Sequence, residues 1–228
     1  FISKNVDAFI IVPHNYCDDS FYEEIFASTK KRRIPLLFAN MSFSNFKSSY
    51  VIPDFEEGEY LLTRYLIQNG NRDLVFLGGS MSHYYSEIKY KGFLRALEEF
   101  GIKSERLNYL ECGQNYSFKN AYDAMSVFLK KNRLPDAFVA ANDLLAYGTI
   151  KSLKENGLNV PEDVSVVGFD DMELPLVDSI PLTTVKIPLE DMARLCIEII
   201  KDETNKKLLK QYILQPEVMI RESVKRRN

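Results

Sequence analysis

LPDAFVAANDLLAYGTIKSLKENGLNVPEDVSVVGFDD, residues 134–171, is the stretch whose reading decides the fold. Ala137 to Ala141 is a short apolar run without helical period, bounded by Pro135 and by Asn142-Asp143, and it reads as a buried strand. Asn142 or Asp143 can cap a following helix, because a short side-chain oxygen accepts from the unpaired N–H groups of a first turn. Leu144, Leu145, Gly148, Ile150, Leu153 and Leu158 supply the apolar face of that helix, and Gly157 is a suitable terminator. Pro161 and Asp163 punctuate a turn, Val164 to Phe169 is a second buried strand, and Asp170-Asp171 follow it at once.

Two apolar strands joined by a helix make a right-handed unit with parallel strands, so both carboxyl ends lie on one edge of the sheet. Open α/β sheets bind ligands in the crevice outside that edge. Asn142, Asp143, Asp170 and Asp171 therefore gather there. Asp143 and Asp171 read best as cap and turn formers, whereas Asn142 and Asp170 read as ligand-facing.

Bulk properties set outer limits. The chain has 228 residues, enough for one large domain or two smaller lobes, and its 46% hydrophobic content is that of an ordinary globular protein. A net charge of −3 gives no electrostatic pointer to nucleic acid. Cys17, Cys112 and Cys196 are scattered without pair spacing, which suits a reducing cytoplasm and no metal site. No apolar run is long enough to span a bilayer, and no cofactor fingerprint is present: Gly78-Gly79 permits a tight turn but lacks the phosphate-binding glycine pattern.

Elsewhere the pattern continues to alternate strand and helix. Val6 to Val12 and Ile34 to Ala39 read as buried strands, the second with Asn40 at its exit. Between them Lys30-Lys31-Arg32-Arg33 reads as a solvated helix end, where cations are favourable. Met41 to Ser49 suggests a loop over the crevice, and Tyr50 to Pro53 a short edge strand. Glu56 to Asn69 is a helix ended by Gly70, Leu74 to Leu77 a strand, and Ala121 to Lys131 and Leu189 to Ile200 amphipathic helices. Tyr212 to Ile220 reads as one last extended strand, followed by Lys225-Arg226-Arg227 as a mobile tail.

AANDLLAYG and GLNVPEDVSVVGFDD together closely resemble the effector-binding core of the lactose/galactose (LacI/GalR) family of bacterial transcriptional regulators. VDAFIIVP (6–13), IPLLFAN (34–40), EEGEYLLTRYLIQNGNRDLVFLGG (56–79), YKGFLRALEEFGI (90–102), PLTTVKIPLEDMARL (181–195) and PEVMIRES (216–223) agree in the same order. The resemblance implies an α/β fold of two similar lobes, each a mostly parallel sheet flanked by helices, joined by a three-crossing hinge as in type I periplasmic binding proteins. The expected division is 1–53 plus 184–212 for the first lobe and 54–183 plus 213–228 for the second. Measured against the family, the first lobe starts late, without its first strand–helix–strand unit, and the helix-turn-helix headpiece lies outside this chain.

Site residues follow from the same resemblance. Family members place an arginine three residues ahead of the glycine matched by Gly92; here that position is Lys89, a point charge rather than a planar fork. His83 and Tyr85 match positions that face the effector, and His83 reads equally well as an exposed loop histidine. Tyr84 or Tyr85 is suited to lie against a sugar face, and Asn40 completes the set. The implied function is a non-enzymatic, cytoplasmic, homodimeric regulator that binds a small polar effector, a sugar first among candidates, between its lobes. The effector would change the spacing of two headpieces on operator DNA. A secreted sugar-binding protein of a transporter is the alternative on the same fold. A glycosidase would need two carboxyl groups facing each other across a bond, and adjacent Asp170 and Asp171 diverge if the strand continues.

Overall fold

The computed structural model describes residues 6–14, 19–103, 108–114, 116–173, 180–206 and 209–227. The opening FISKN and the proline-containing run 174–179, for which the sequence suggested a helix end and an aperiodic return segment, lie outside the described residues. Cys17, one of the three cysteines, lies outside them as well. The chain divides into two compact units, Phe1–Asp54 with Pro188–Gln215 and Phe55–Ile187 with Pro216–Asn228, and so passes from one to the other three times.

Unit 1 contains β1 (Phe9–Ile11), α1 (Asp19–Arg32), β2 (Leu36–Ala39), β3 (Ser49–Pro53), α6 (Leu189–Lys206) and β9 (Gln211–Leu214). Its sheet has the order β1-β2-β3-β9 with every pairing parallel. Tyr50 to Pro53 is therefore not an edge strand: β3 lies between β2 and β9, and Val51 is fully buried. The partner that makes it interior comes from more than 150 residues away, a separation that local pattern does not encode. The aromatic side chains of the 41–49 segment pack within unit 1, where Phe43 and Phe46 stack on each other at 5.0 Å and contact Phe38, with Phe46 also against Phe26. Lys30, Lys31 and Arg32 do form the last turn of a helix, and the charged run after Ile200 continues α6 rather than ending it.

Unit 2 contains α2 (Phe55–Gln68), β4 (Leu74–Gly78), α3 (Tyr84–Glu99), β5 (Tyr109–Glu111), α4 (Phe118–Lys131), β6 (Ala137–Ala140), α5 (Asp143–Glu155), β7 (Ser165–Val167), β8 (Thr184–Lys186) and β10 (Glu217–Met219). The main sheet is parallel in the order β5-β4-β6-β7, and β8 and β10 form an antiparallel pair. Leu74, Phe76, Leu77 and residues 137–141 are at most 1% exposed, as the unbroken apolar runs require of strands covered on both faces. The expected single strand Tyr212 to Ile220 is two strands in different units, broken at Gln215-Pro216; proline has no N–H to continue a ladder.

The basic C-terminus is docked rather than mobile. The Arg227 guanidinium donates to Asn71 Oδ1 at 3.1 Å and to the carbonyls of Asp136 and Asp163 at 3.2 and 3.1 Å, while its backbone N–H reaches Asn69 O at 2.7 Å. Lys225 Nζ donates to Glu162 O at 2.6 Å. These acceptors sit just after α2 and just before β4, β6 and β7, so the tail ties four elements together. Arg227→Ala is expected to destabilise unit 2 by about 2 kcal/mol, since hydrogen bonds to a charged group contribute about 1.5–3 kcal/mol. Urea denaturation followed by circular dichroism checks this; an unchanged midpoint would return the tail to a passive role.

Candidate functional site

The chain reaches β5 from β4 through α3 on one side, and β6 lies on the other side of β4, so the winding reverses between β4 and β6. Loops diverge at such a switch point and leave a crevice at the strand carboxyl ends. Gly78-Gly79, Ala141-Asn142 and the sequence after β7 all emerge at this edge of unit 2.

Asn142 is the N-cap of α5, its Oδ1 accepting from Leu145 N at 2.9 Å. That leaves its amide nitrogen as the group able to donate to a ligand. Asp143, read from sequence as a cap or turn former, has a larger part. Its buried carboxylate accepts from Thr184 Oγ1 at 2.6 Å and from Met172 N at 2.7 Å, tying α5 to β8 and to the segment after β7. Burial pushes the Asp143 carboxyl up to about 6, against the lowering effect of those two hydrogen bonds. Gly168 makes the arrangement possible: a Cβ there would stand 2.2 Å from Asp143 Oδ1.

The strand does not continue through the aspartates. β7 ends at Val167, and Asp170 and Asp171 both take left-handed conformations, with φ of 101° and 54°. Each such residue costs about 1–3 kcal/mol and persists only when its surroundings hold it. Here Asp170 N donates to Val185 O at 2.9 Å, and Asp171 Oδ1 accepts from Arg221 at 2.6 Å. Arg221 in turn donates to Leu182 O at 2.8 Å, and its backbone N–H to Thr183 Oγ1 at 2.9 Å. Sequence reasoning marked Arg221 only as part of a closing motif; its pairing across 50 residues left no local signal.

Lys89, on α3, is turned inward. Its ammonium donates to Ala141 O at 2.6 Å, lies 3.7 Å from Asp170 Oδ1, and sits 3.7 Å above the Phe169 ring centroid with Phe55 beyond. Burial lowers the Lys89 ammonium below the ordinary lysine range, opposed by the nearby charges of Asp170, Glu59 and Asp143. Glu59, on α2, is fully buried, and burial raises its carboxyl to about 8 even with Lys89 close by. Its Oε1 accepts a long hydrogen bond from Thr63, while Oε2 has no partner among the described residues. Burial thus favours the protonated form of Glu59, against the pull of Lys89 toward the charged one.

Tyr85 packs edge-on against Phe55 at 5.1 Å and against Tyr84 at 5.3 Å, which joins both tyrosines to the Lys89–Phe169–Asp170 group. His83 is the N-cap residue of α3, held by its backbone: it donates to Ser80 O and accepts from Glu87 N. Asn40 belongs to unit 1, at the end of β2, with φ of 73° and its N–H on Val51 O. Among the described residues no group of three or more His, Cys, Asp or Glu side chains is placed to hold a metal ion, and no helix is long and apolar enough to cross a membrane.

Residues 63–224 match the periplasmic binding protein-like domain family. The chain is 30% identical over 229 residues to the HTH-type transcriptional repressor PurR of Pasteurella multocida (strain Pm70), covering 99% of this chain and 66% of the repressor. It thus spans about two thirds of that protein's length. In fold it is similar to a LacI family transcriptional regulator from Enterococcus faecium solved with bound ribose, at TM-score 0.84 and 24% identity, covering 98% of this chain and 81% of the other. A complex of the transcriptional regulator CelR with cellobiose is likewise similar, at TM-score 0.85 and 24% identity over 97% of this chain and 67% of the other. Parallel sheets wound through helices agree with these likenesses, and the chain belongs to the periplasmic binding protein-like family, in the form that serves LacI/GalR regulators as their effector-binding domain.

Proposed function

We propose that the chain senses a small polyhydroxyl effector, a sugar or a close relative, for a cytoplasmic transcriptional regulator that acts as a homodimer through a DNA-binding headpiece. The observation that carries this reading is the Asp170 turn at the switch-point edge of unit 2: a left-handed, one-third exposed aspartate held by Lys89, Val185 and the Asp171–Arg221 pair. A carboxylate offers two acceptor oxygens to adjacent hydroxyls, and the Asn142 amide adds a donor beside it. Tyr85 and Tyr84 provide aromatic surface for a sugar face, and His83 and Lys89 flank them on α3. Asn40 is the proposed contact from unit 1.

The regulator reading draws on the PurR and LacI-type relatives, two of which are solved with ribose and cellobiose. Effector binding would bias two conformations by its difference in affinity for them, typically about 1–3 kcal/mol of coupling. Thermal-shift and calorimetric screening against pentoses, hexoses, disaccharides, their phosphates and nucleobases tests it. A ligand at 100 times its Kd adds about 2.7 kcal/mol to the stability of the native form. Asp170→Ala and Asn142→Ala are each expected to abolish the shift while the protein stays folded. Loss of the cap alone lowers the unliganded stability of Asn142→Ala by about 1 kcal/mol, which is read separately. An undiminished ligand response in both variants would remove this edge as the binding site, and chemical conversion of a bound sugar would replace the sensor with an enzyme.

A further inference from the structure

We propose that the ligand edge of unit 2 selects an uncharged polyhydroxyl compound over its phosphorylated or carboxylated counterparts, and that Lys89 sets this preference by keeping its ammonium inside the protein. The inference rests on the sensor reading and adds the charge class of the ligand.

An anionic ligand needs unspent cationic donors or an open helix N-terminus. Beside Asp170, Lys89 and Arg221 are engaged within the protein, while Lys186 on β8 is exposed. Lys89 is 4% exposed, and its ammonium donates to Ala141 O, lies within ion-pair reach of Asp170 at 3.7 Å and covers the Phe169 face. Arg221 is committed to Asp171 and to Leu182 O. The N-terminus of α5 is already filled by the Asn142 side chain and carries Asp143 in its first turn, while the first turn of α3 carries Glu87. Toward solvent stand the Asp170 carboxylate, whose paired ammonium lies inside, and the Asp171–Arg221 ion pair, each member of which is already satisfied by the other. A phosphate placed against Asp170 would meet a carboxylate whose nearest ammonium, that of Lys89, is held inside the protein, and taking it out of water against a like charge is costly. Hydroxyl groups, which donate, meet the same carboxylate favourably.

Identity at position 89 matters because of shape as much as charge. The flexible lysine stem lets the ammonium fold back onto Ala141 O and lie over Phe169. A planar arginine fork is larger and presents five donors, not all of which these partners can take. Its remaining donors would reach past Asp170 toward the ligand.

The test is titration calorimetry on the full chain with matched pairs: ribose and ribose 5-phosphate, glucose and glucose 6-phosphate, galactose and galacturonate, cellobiose and cellobionate. The neutral member of the binding pair is expected to bind at least tenfold more tightly than the charged one. Equal or tighter binding of the charged member overturns the inference and leaves the sensor reading standing. Failure of every neutral and every charged probe overturns the sensor reading, and the inference falls with it. In Lys89→Arg the neutral-to-charged ratio is expected to narrow at least fivefold; an unchanged ratio in the folded variant removes Lys89 as the determinant. Should that variant not fold, the ratio in the unaltered chain still decides the charge class.

Discussion

Gly92→Ala is expected to lower the melting temperature by about 6–12 °C, the shift that roughly 3 kcal/mol produces in a chain of this size. In an ordinary helix the same change stabilises by about 1 kcal/mol, because alanine is the better helix former. The sign reverses here through contact. A Cβ on Gly92 would stand 2.2 Å from Glu56 O, and 3.0 Å from both Tyr60 N and Glu59 Cβ. Two of those atoms are backbone, which no side-chain rotation can move. To accept the methyl group α3 must lift away from α2, and the fully buried Phe93, Ala96 and Leu62 lose packing together. Overpacking of this kind costs about 1–3 kcal/mol and more where the backbone cannot shift. Lys89 lies one turn earlier on the same face, so ligand binding is expected to fall with stability. Lys91→Ala, on the exposed face, serves as control and should leave the transition in place. A melting temperature within about 1 °C of the parent in both variants would mean that the helices separate without cost.

Much of this architecture was legible because it is written locally. The Ala137–Ala140 strand, the helix capped at Asn142 and the turn at Gly157 fall within a residue or two of where periodicity puts them. So does α2, ended by Gly70 in a left-handed conformation. What escaped depends on partners far along the chain. The interior place of β3 is made by β9, and the docking of Arg227 by carbonyls at residues 69, 136 and 163. Within the candidate site, Asp143 was undervalued because a first-turn aspartate looks like a cap whether or not Thr184 waits above it. Glu59 was readable in principle. In EEGEY it is the glutamate that shares helical phase with Leu62, Thr63 and Leu66, all of which are fully buried. By the same phase Lys89 keeps company with Phe93 and Ala96, and its inward direction follows from that face.

Glu59→Gln is expected to remove a pH dependence of stability that the parent chain shows between pH 6 and 8. The Glu59 carboxyl is raised to about 8 by burial, whereas in the unfolded chain it titrates near 4.5. Between these values the folded state holds a proton that the unfolded state has released, so stability is full below the lower value and falls as pH rises toward the upper one. Asp143, raised from 3.8 to about 6, contributes a slope of the same sign, finished by about pH 6. The lowered Lys89 ammonium acts with the opposite sign, over the pH range in which the unfolded lysine holds a proton that the folded one has released. Asp143 and Lys89 are common to parent and Glu59→Gln, so the difference between the two proteins reports on Glu59. Each pH unit well below the raised value is about 1.4 kcal/mol and the slope halves at it, giving a loss of about 2 kcal/mol between pH 6 and 8. Glutamine keeps the shape of the protonated acid and cannot ionise, so its stability should match the parent at pH 6 within about 1 kcal/mol and stay level to pH 8. The parent would then unfold at lower urea than the variant at pH 8 but not at pH 6. Parallel curves for the two proteins across this range would show that Glu59 ionises in the folded chain as it does in water, with the Lys89 ammonium paired to it rather than to Asp170.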